Sequence, residues 1–364
     1  MKISPLKIFR HPGSLRSGVN NLHTPPITLD MDLTTLCSNR CPECTYRDQR
    51  LLPARFLPKE LAKKAIEQAA DFGIKAITFT GGGEPVLHPD FAEIAAFSQQ
   101  QGLKAGLITS GHDYSQQIAE RTLPYFSWVR FSLDAGSPDV YAATHGLNAN
   151  HFQRTVDNIR EASAIREKNK LPVILGASYL VFQPNQTDFK TAIGLALGEM
   201  GLDRLQFKPM RTANCHMPGG TCFNFGKLES ANNLLADIKR DSPYADRIIL
   251  SRFSMQTKRV YRRCLGQQWT TALGSDGKLY VCCEYKYDRR YFLGDLSAQT
   301  LQDIWRSDWR KKVVESLDPN KSCFLGCKLH EMNNILADAL NSPGRLEQLI
   351  EKHSGPSNDE VDFI

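Results

Sequence analysis

Cys37, Cys41 and Cys44 fall within one short segment, Leu36-Cys-Ser-Asn-Arg-Cys-Pro-Glu-Cys-Thr45, directly after an extended apolar stretch. Three thiolates on one loop can hold three corners of a metal centre and leave a fourth position open. An open position is what separates a catalytic metal site from a structural one. The same triplet also fits half of a structural zinc site whose remaining ligands lie elsewhere in the chain.

Further unusual residues follow the next apolar runs. A second apolar run, Ile77-Thr-Phe-Thr80, leads into Gly81-Gly-Gly-Glu-Pro85; a third, Leu107-Ile-Thr109, leads into Ser110-Gly-His112; a fourth contains Arg130-Phe-Ser-Leu-Asp134. Three consecutive glycines remove every β-carbon where a backbone must approach a ligand closely, and Pro85 fixes the exit of the turn. A tight turn alone also accounts for such a run, but here it stands one unit after the cysteine loop. If the apolar runs are parallel strands, all four clusters lie at carboxyl ends and face one rim, where βα barrels gather their active sites.

The elements needed to position these residues are legible over 27–210, where β-like runs alternate with helix-like periodic segments. Six strands are expected, Ile27 to Leu33, Ala76 to Thr80, Ala105 to Thr109, Val129 to Leu133, Val173 to Val181 and Leu205 to Lys208. Helices are expected at Pro58 to Phe72, Pro89 to Gln101, His151 to Lys168 and Asp188 to Met200. Six βα repeats suit a partial barrel of the TIM type better than a full one, with an open sheet as the alternative.

The texture changes after Met210. A loop over 211–226 holds Cys215 and Cys222, and a helix near Leu228 to Arg240 follows. Next come a hairpin turn at Ser275-Asp-Gly277, between strands Thr270 to Leu273 and Lys278 to Cys282, and an amphipathic helix from Thr300 to Ser316. The expected division is an arm over 1–26, a barrel over 27–215, a bridge over 216–247, a smaller α+β domain over 248–340, and a helical C-terminal segment over 341–364 whose end reads as a tail or small lid.

Composition sets the frame. The 364 residues carry 45 basic and 39 acidic side chains spread along the chain, and the net charge of +6 makes no case for a nucleic-acid partner. The N-terminus lacks a signal-peptide core and no apolar run is long enough to span a bilayer, so a cytoplasmic protein without a membrane partner is expected. In a reducing compartment the ten cysteines are not expected to form disulfides, and those that cluster read as metal ligands or catalytic groups.

C-x3-C-x2-C after the first strand and Gly-Gly-Gly-Glu-Pro after the second resemble the radical S-adenosylmethionine (radical SAM) enzymes, over roughly residues 27–215. The resemblance implies that Cys37, Cys41 and Cys44 bind a four-iron four-sulfur cluster whose fourth iron takes the amino and carboxylate groups of S-adenosylmethionine. It implies that Gly81, Gly82, Gly83, Glu84 and Pro85 meet the methionyl amino group, and that Ser110, Ser132 and Asp134 lie near the ribose or carboxylate. The family often has an aromatic residue just before the third cysteine; here that position is Glu43, with Tyr46 as a substitute near the adenine.

Farther on, Cys264, Cys282, Cys323 and Cys327, with Tyr291-Phe-Leu-Gly-Asp295 and Asp303-Ile-Trp305, resemble the auxiliary-cluster region called twitch or SPASM. Five cysteines from Cys264 onward are too few for two clusters, so one auxiliary four-iron four-sulfur cluster is implied. Zinc also suits four thiolates. Strand alternation favours Cys282 over Cys283 as the ligand. Cys215 and Cys222 read as plain loop residues, Lys208 and Arg211 as rim residues able to meet an anion, and His112 and His145 as structural.

The activity implied is reductive cleavage of S-adenosylmethionine to a 5′-deoxyadenosyl radical that takes hydrogen from a substrate carbon, with electrons from a donor such as flavodoxin or ferredoxin. The auxiliary cluster would assist oxidation. A small polar substrate such as a sugar or aminocyclitol is favoured over a peptide because only about 26 residues precede the first strand, too few for a leader-binding domain. A non-catalytic zinc or iron–sulfur protein is the contrasting class.

Overall fold

The computed structural model describes residues 5–50, 52–209, 225–251, 259–323, 327–354 and 362–364. Arg211, Cys215 and Cys222 lie outside the described residues. All six expected strands are present, with bounds shifted by two residues at most: β1 (Thr28–Asp32), β2 (Ala76–Thr80), β3 (Lys104–Thr109), β4 (Trp128–Ser132), β5 (Ile174–Val181) and β6 (Arg204–Pro209). They pair in chain order, all parallel.

Two further parallel strands extend the expected six. β7 (Ile248–Leu250) pairs with β6, and β8 (Thr270–Leu273) pairs with β1, Thr28 opposite Thr270. β8 then turns through Ser275-Asp-Gly277, where Gly277 supplies the left-handed φ of 74°, into β9 (Lys278–Tyr280). β10 (Phe292–Asp295) pairs antiparallel with β9. The result is one ten-stranded sheet in the order β10-β9-β8-β1-β2-β3-β4-β5-β6-β7. It is a partial barrel of the TIM type, with the hairpin of the C-terminal half laid along its first strand.

Strand alternation divides the sheet into two chemically different faces. Leu29, Met31, Ile77, Phe79, Leu107, Val129, Phe131, Leu175 and Phe207 share one core cluster with Ala62, Ala65, Ile66 and Ala69 of the helix Lys59–Phe72. That helix presents its apolar residues three and four apart and ends on Gly73, which has a left-handed φ of 94°. Burial on this scale stabilises by about 1.5–3 kcal/mol per large aliphatic side chain. The intervening positions, Asp30, Asp32, Thr78, Arg130, Ser132, Ser178 and Gln206, take the inner face.

The floor of the barrel is built from aromatic rings. A β-carbon on Gly106 would stand 2.2 Å from the Trp128 ring, so the indole lies across that glycine. Phe363 packs edge-on to Trp128 at 5.2 Å, in a cluster with Ala76. The Thr28 hydroxyl donates to the Asp362 carbonyl at 2.7 Å and accepts from the Ile364 N–H at 2.9 Å. Residues 362–364 therefore close the floor, where a tail or lid was expected.

Two other expectations are corrected. The helix over Thr300 to Ser316 is two helices, Leu301–Arg306 and Asp308–Ser316, because the Ser307 backbone is extended and its hydroxyl accepts from the Arg310 N–H to start the second. The strand expected to reach Cys282 ends at Tyr280, and Cys282 instead precedes the 3-10 turn Cys283–Tyr285.

Candidate functional site

The Cys37–Cys44 segment leaves the end of β1 and is pinned along its length. The Leu36 N–H donates to Thr34 Oγ1 at 2.9 Å, Thr35 and Arg55 exchange hydrogen bonds, and the Arg40 N–H donates to the His145 carbonyl at 2.9 Å. Ser38 donates to Asp113, which also meets His112, and His112 Nε2 lies 2.9 Å from His151 Nδ1. Burial pushes the Asp113 carboxyl up, but the hydrogen bonds from His112 and Ser38 outweigh it and hold it below its ordinary value. His112 thus braces the loop as part of a polar chain. All three cysteines are partly exposed, as ligands open to a cofactor must be.

The glycine turn packs directly on that loop. A β-carbon at Gly83 would meet the Leu36 carbonyl at 2.2 Å, and the Glu84 N–H donates to the same carbonyl at 2.7 Å. At Gly82 a β-carbon would stand 3.0 Å from the Tyr287 hydroxyl. Pro85 opens a short 3-10 helix that carries the chain away. Glu84 Oε2 accepts from the Ser110 N–H at 2.7 Å, tying the end of β2 to the end of β3. Glu84 Oε1 and Ser110 Oγ are buried and neither meets hydrogen-bond geometry, although the Thr109 and Ser110 hydroxyls stand close enough to temper the burial that raises the Glu84 carboxyl. A desolvated carboxylate oxygen and a hydroxyl, at the turn that packs on the cysteine loop, suit an ammonium group. The donor set therefore fits a metal cluster with an amino-acid cofactor.

The remaining expected residues divide. Asp134 has a left-handed φ of 51°; its Oδ1 accepts from the Leu180 N–H at 2.6 Å and its carbonyl from Asn185. Burial pushes its carboxyl up to about 6. It locks β4 to the exit of β5. The Ser132 carbonyl accepts from His145 Nε2 at 3.0 Å, and burial lowers the His145 imidazole to about 4, so the ring is neutral. Tyr46 turns toward the C-terminal half: its hydroxyl donates to the Cys283 carbonyl at 2.9 Å and its ring lies 5.0 Å from Lys286 Nζ.

Cys264, Cys282, Cys323 and Cys327 come together. Burial raises the Cys282 thiol well above its ordinary value, and the neighbouring Cys283, Cys327 and Cys264 add to this. Burial and then Cys264 push Cys323 up to about 12. Asn333 Nδ2 donates to Cys264 Sγ and the Leu329 N–H to Cys327 Sγ, both at 3.4 Å. Cys283 faces another way: burial, Lys328, Glu284, Asp30 and Lys286 set its thiol at about 12. Cys282 and Cys283 thus part at a turn rather than across a strand. The eight described cysteines form no disulfide. Among the described residues no three His, Cys, Asp or Glu side chains are gathered for a single metal ion, so the fit rests on donor type and position.

Sequence reasoning missed the charged groups between the two cysteine sets. Lys286 pairs with Asp32, both almost fully buried, and Lys328 Nζ lies 2.9 Å from Asp30 Oδ2. The signal was Thr28-Leu-Asp-Met-Asp32, an alternation that puts both carboxylates on one strand face. No described helix is long and apolar enough to cross a membrane.

Comparison with known proteins agrees with this geometry. Residues 31–183 match the Radical SAM superfamily and residues 264–328 the SPASM iron–sulfur cluster-binding domain. Residues of the chain are 31% identical over 103 positions to an S-adenosylmethionine-dependent nucleotide dehydratase of Flammeovirga pacifica, covering 27% of this chain and 35% of that one. They are 26% identical over 182 positions to a PqqA peptide cyclase of Xanthomonas campestris, covering 50% and 46%. Each alignment thus spans less than half the length of the curated relative.

The fold is similar to that of Streptococcus suis SuiB bound to its precursor peptide SuiA, with a TM-score of 0.64, 15% identity, and 92% of this chain and 77% of that one covered. It is also similar to anSMEcpe with bound AdoMet, with a TM-score of 0.59, 15% identity, and 91% and 100% covered. S-adenosylmethionine and iron–sulfur chemistry follow from the two family matches. The chain belongs to the radical SAM enzymes and carries a C-terminal SPASM-type domain.

Proposed function

We propose that Cys37, Cys41 and Cys44 hold a four-iron four-sulfur cluster with S-adenosylmethionine at its open corner, and that Cys264, Cys282, Cys323 and Cys327 hold one auxiliary four-iron four-sulfur cluster. The first lies in a barrel unit over 27–215 and the second in a unit over 248–340. When bound, these groups supply a 5′-deoxyadenosyl radical for hydrogen abstraction and a nearby acceptor for the electron left on the substrate. The observation that carries the reading is the Glu84 turn seated on the Leu36 carbonyl, which joins the buried Glu84 Oε1 and Ser110 Oγ to the loop that bears the three cysteines.

The chain's own residues divide the remaining work. Glu84 and Ser110 accept the cofactor ammonium, Ser38 and His112 brace the cysteine loop, and Trp128 with Phe363 closes the floor against water. A polar inner face, with Ser132, Ser178 and Gln206, suits a small polar substrate such as a sugar or aminocyclitol. Likeness to SuiB bound to its precursor peptide favours a second reading, modification of a peptide. A cytoplasmic flavodoxin or ferredoxin would supply the electron.

Anaerobic reconstitution tests both cluster assignments. About eight irons per chain are expected, with Cys41→Ala and Cys323→Ala each losing one cluster. Dithionite-driven formation of 5′-deoxyadenosine is expected for the wild-type protein and not for Cys41→Ala. An unchanged rate in that variant rejects the assignment.

A further inference from the structure

Among the described residues, the inner face of the barrel holds two close charge pairs and an arginine that stands outside both. Asp30 is met by Lys328 and Asp32 by Lys286. Asp134 has Lys208 as its nearest cationic influence. Arg130, in the middle of β4, is different. Its Nε and Nη1 are buried and make no hydrogen bond, and among the described residues no carboxylate forms an ion pair with it. Asp30 and Asp134 act on it only at longer range.

A buried charged donor without a partner costs more than the roughly 1–3 kcal/mol of a neutral one. The guanidinium stays charged all the same, since burial brings it down only to about 10. The Trp128 ring lies 6.0 Å away toward the floor, and Gln206 Oε1, from β6, is also buried without a partner. Arg130 stands two residues before Ser132, about 7 Å nearer the floor by strand rise. Glu84 and Ser110 are at the rim, so Arg130 lies beneath the level of the cofactor residues, between them and the closed floor.

We propose that Arg130 anchors an anionic group of the substrate, a carboxylate or phosphate, held in the lower barrel above Trp128. The assignment rests on the radical SAM reading above and narrows its substrate class to molecules with a negative end. The guanidinium is a planar fork of donors, and its unused Nε and Nη1 lie on different edges, so each can donate to an oxygen of such a group.

The test is anaerobic calorimetry on the reconstituted full chain loaded with S-adenosylmethionine, with inorganic phosphate and acetate as probes and ethylammonium as the control. Wild-type protein is expected to bind one or both anions and not ethylammonium. Arg130→Gln is expected to lose at least about tenfold in anion affinity, and Arg130→Lys, which keeps the charge without the fork, to retain part of it. Circular dichroism on both variants separates misfolding from loss of the site, and the lysine variant keeps the comparison open if the glutamine one unfolds. Equal anion affinity in wild type and Arg130→Gln, or no anion binding by wild type, overturns the proposal. Loss of S-adenosylmethionine affinity in Arg130→Gln also overturns it, because the anion held would then be the cofactor's own carboxylate. Failure of the wild type to form 5′-deoxyadenosine with dithionite would instead reject the radical SAM reading, so the two failures are distinguishable.

Discussion

Lys328 Nζ stands 2.9 Å from Asp30 Oδ2, joining the residue after Cys327 to the strand that leads into the Cys37–Cys44 loop. Burial pushes Asp30 up, but Lys328 and Lys286 outweigh it and hold the carboxyl below its ordinary value. The two cysteine sets are therefore fastened to one another through a charge pair on β1. Lys328→Met leaves Asp30 buried without its partner and should cost about 2–4 kcal/mol, the lower part of the range for a broken buried pair because Lys328 is a quarter exposed. Asp30→Asn in the same chain should recover part of the loss. The check is the urea midpoint of the three proteins; an unchanged midpoint in the single variant means the pair contributes nothing.

Glu84 offers a second measurement. Its Oε2 is used by the Ser110 N–H and its Oε1 is left over, so Glu84→Gln keeps the structural hydrogen bond and removes the charge. If Oε1 meets the cofactor ammonium, that change should weaken S-adenosylmethionine binding by roughly tenfold to a hundredfold, the value of a hydrogen bond to a charged group. Ser110→Ala should cost about fivefold. Equilibrium dialysis against labelled cofactor reads both, and wild-type affinity in Glu84→Gln would sink the assignment of the glycine turn.

The parts of the fold that were legible in sequence are those governed by local chemistry. β2 and the helix His151–Lys168 end where the apolar pattern and flanking residues place them, because a parallel strand covered on its outer face must be Val-, Ile- and Phe-rich and a helix must keep its 3.6 period. β7, three residues long, carries too little pattern to be read, and the pairing of β8 with β1 is a contact between distant segments. Ser307 shows the limit from the other side: the apolar period runs on across the break, and only the serine cap marks a new start. In the site, the cysteines and glycines announce themselves by spacing. Lys286 and Lys328 do not, because nothing local to a lysine tells which carboxylate it will meet.

Gly83 provides a steric test of how closely the two motifs are joined. A β-carbon there would stand 2.2 Å from the Leu36 carbonyl and 2.5 Å from the Thr35 carbonyl carbon, so Gly83→Ala must move backbone. The expected cost is about 1–3 kcal/mol or more, with a lower iron content after reconstitution as the cysteine loop shifts. Gly13→Ala is the matched control, since nothing lies within 4 Å of its β-carbon and the residue is in a helix. It should be neutral or stabilising by up to about 1 kcal/mol. Equal iron content in the two variants would dissociate the turn from the loop.

His145 makes stability depend on pH in a defined direction. Its ring stacks on Tyr141 at 4.2 Å, Nε2 meets the Ser132 carbonyl, and Nδ1 lies 2.8 Å from Thr144 Oγ1. Burial, with a smaller contribution from His112, lowers the imidazole to about 4. In the unfolded chain the same ring titrates near its ordinary value of about 6.5. The folded state therefore binds fewer protons between those values, so the contribution is present above about pH 6.5 and is lost as pH falls toward 4. Integrated over that window the loss reaches about 3 kcal/mol. His145→Gln keeps a donor for the Ser132 carbonyl and cannot titrate. Its unfolding free energy should thus fall less steeply than wild type's between pH 6.5 and 4, and the two curves should run parallel above pH 7. Parallel curves through the whole range would mean that another group carries the acid sensitivity.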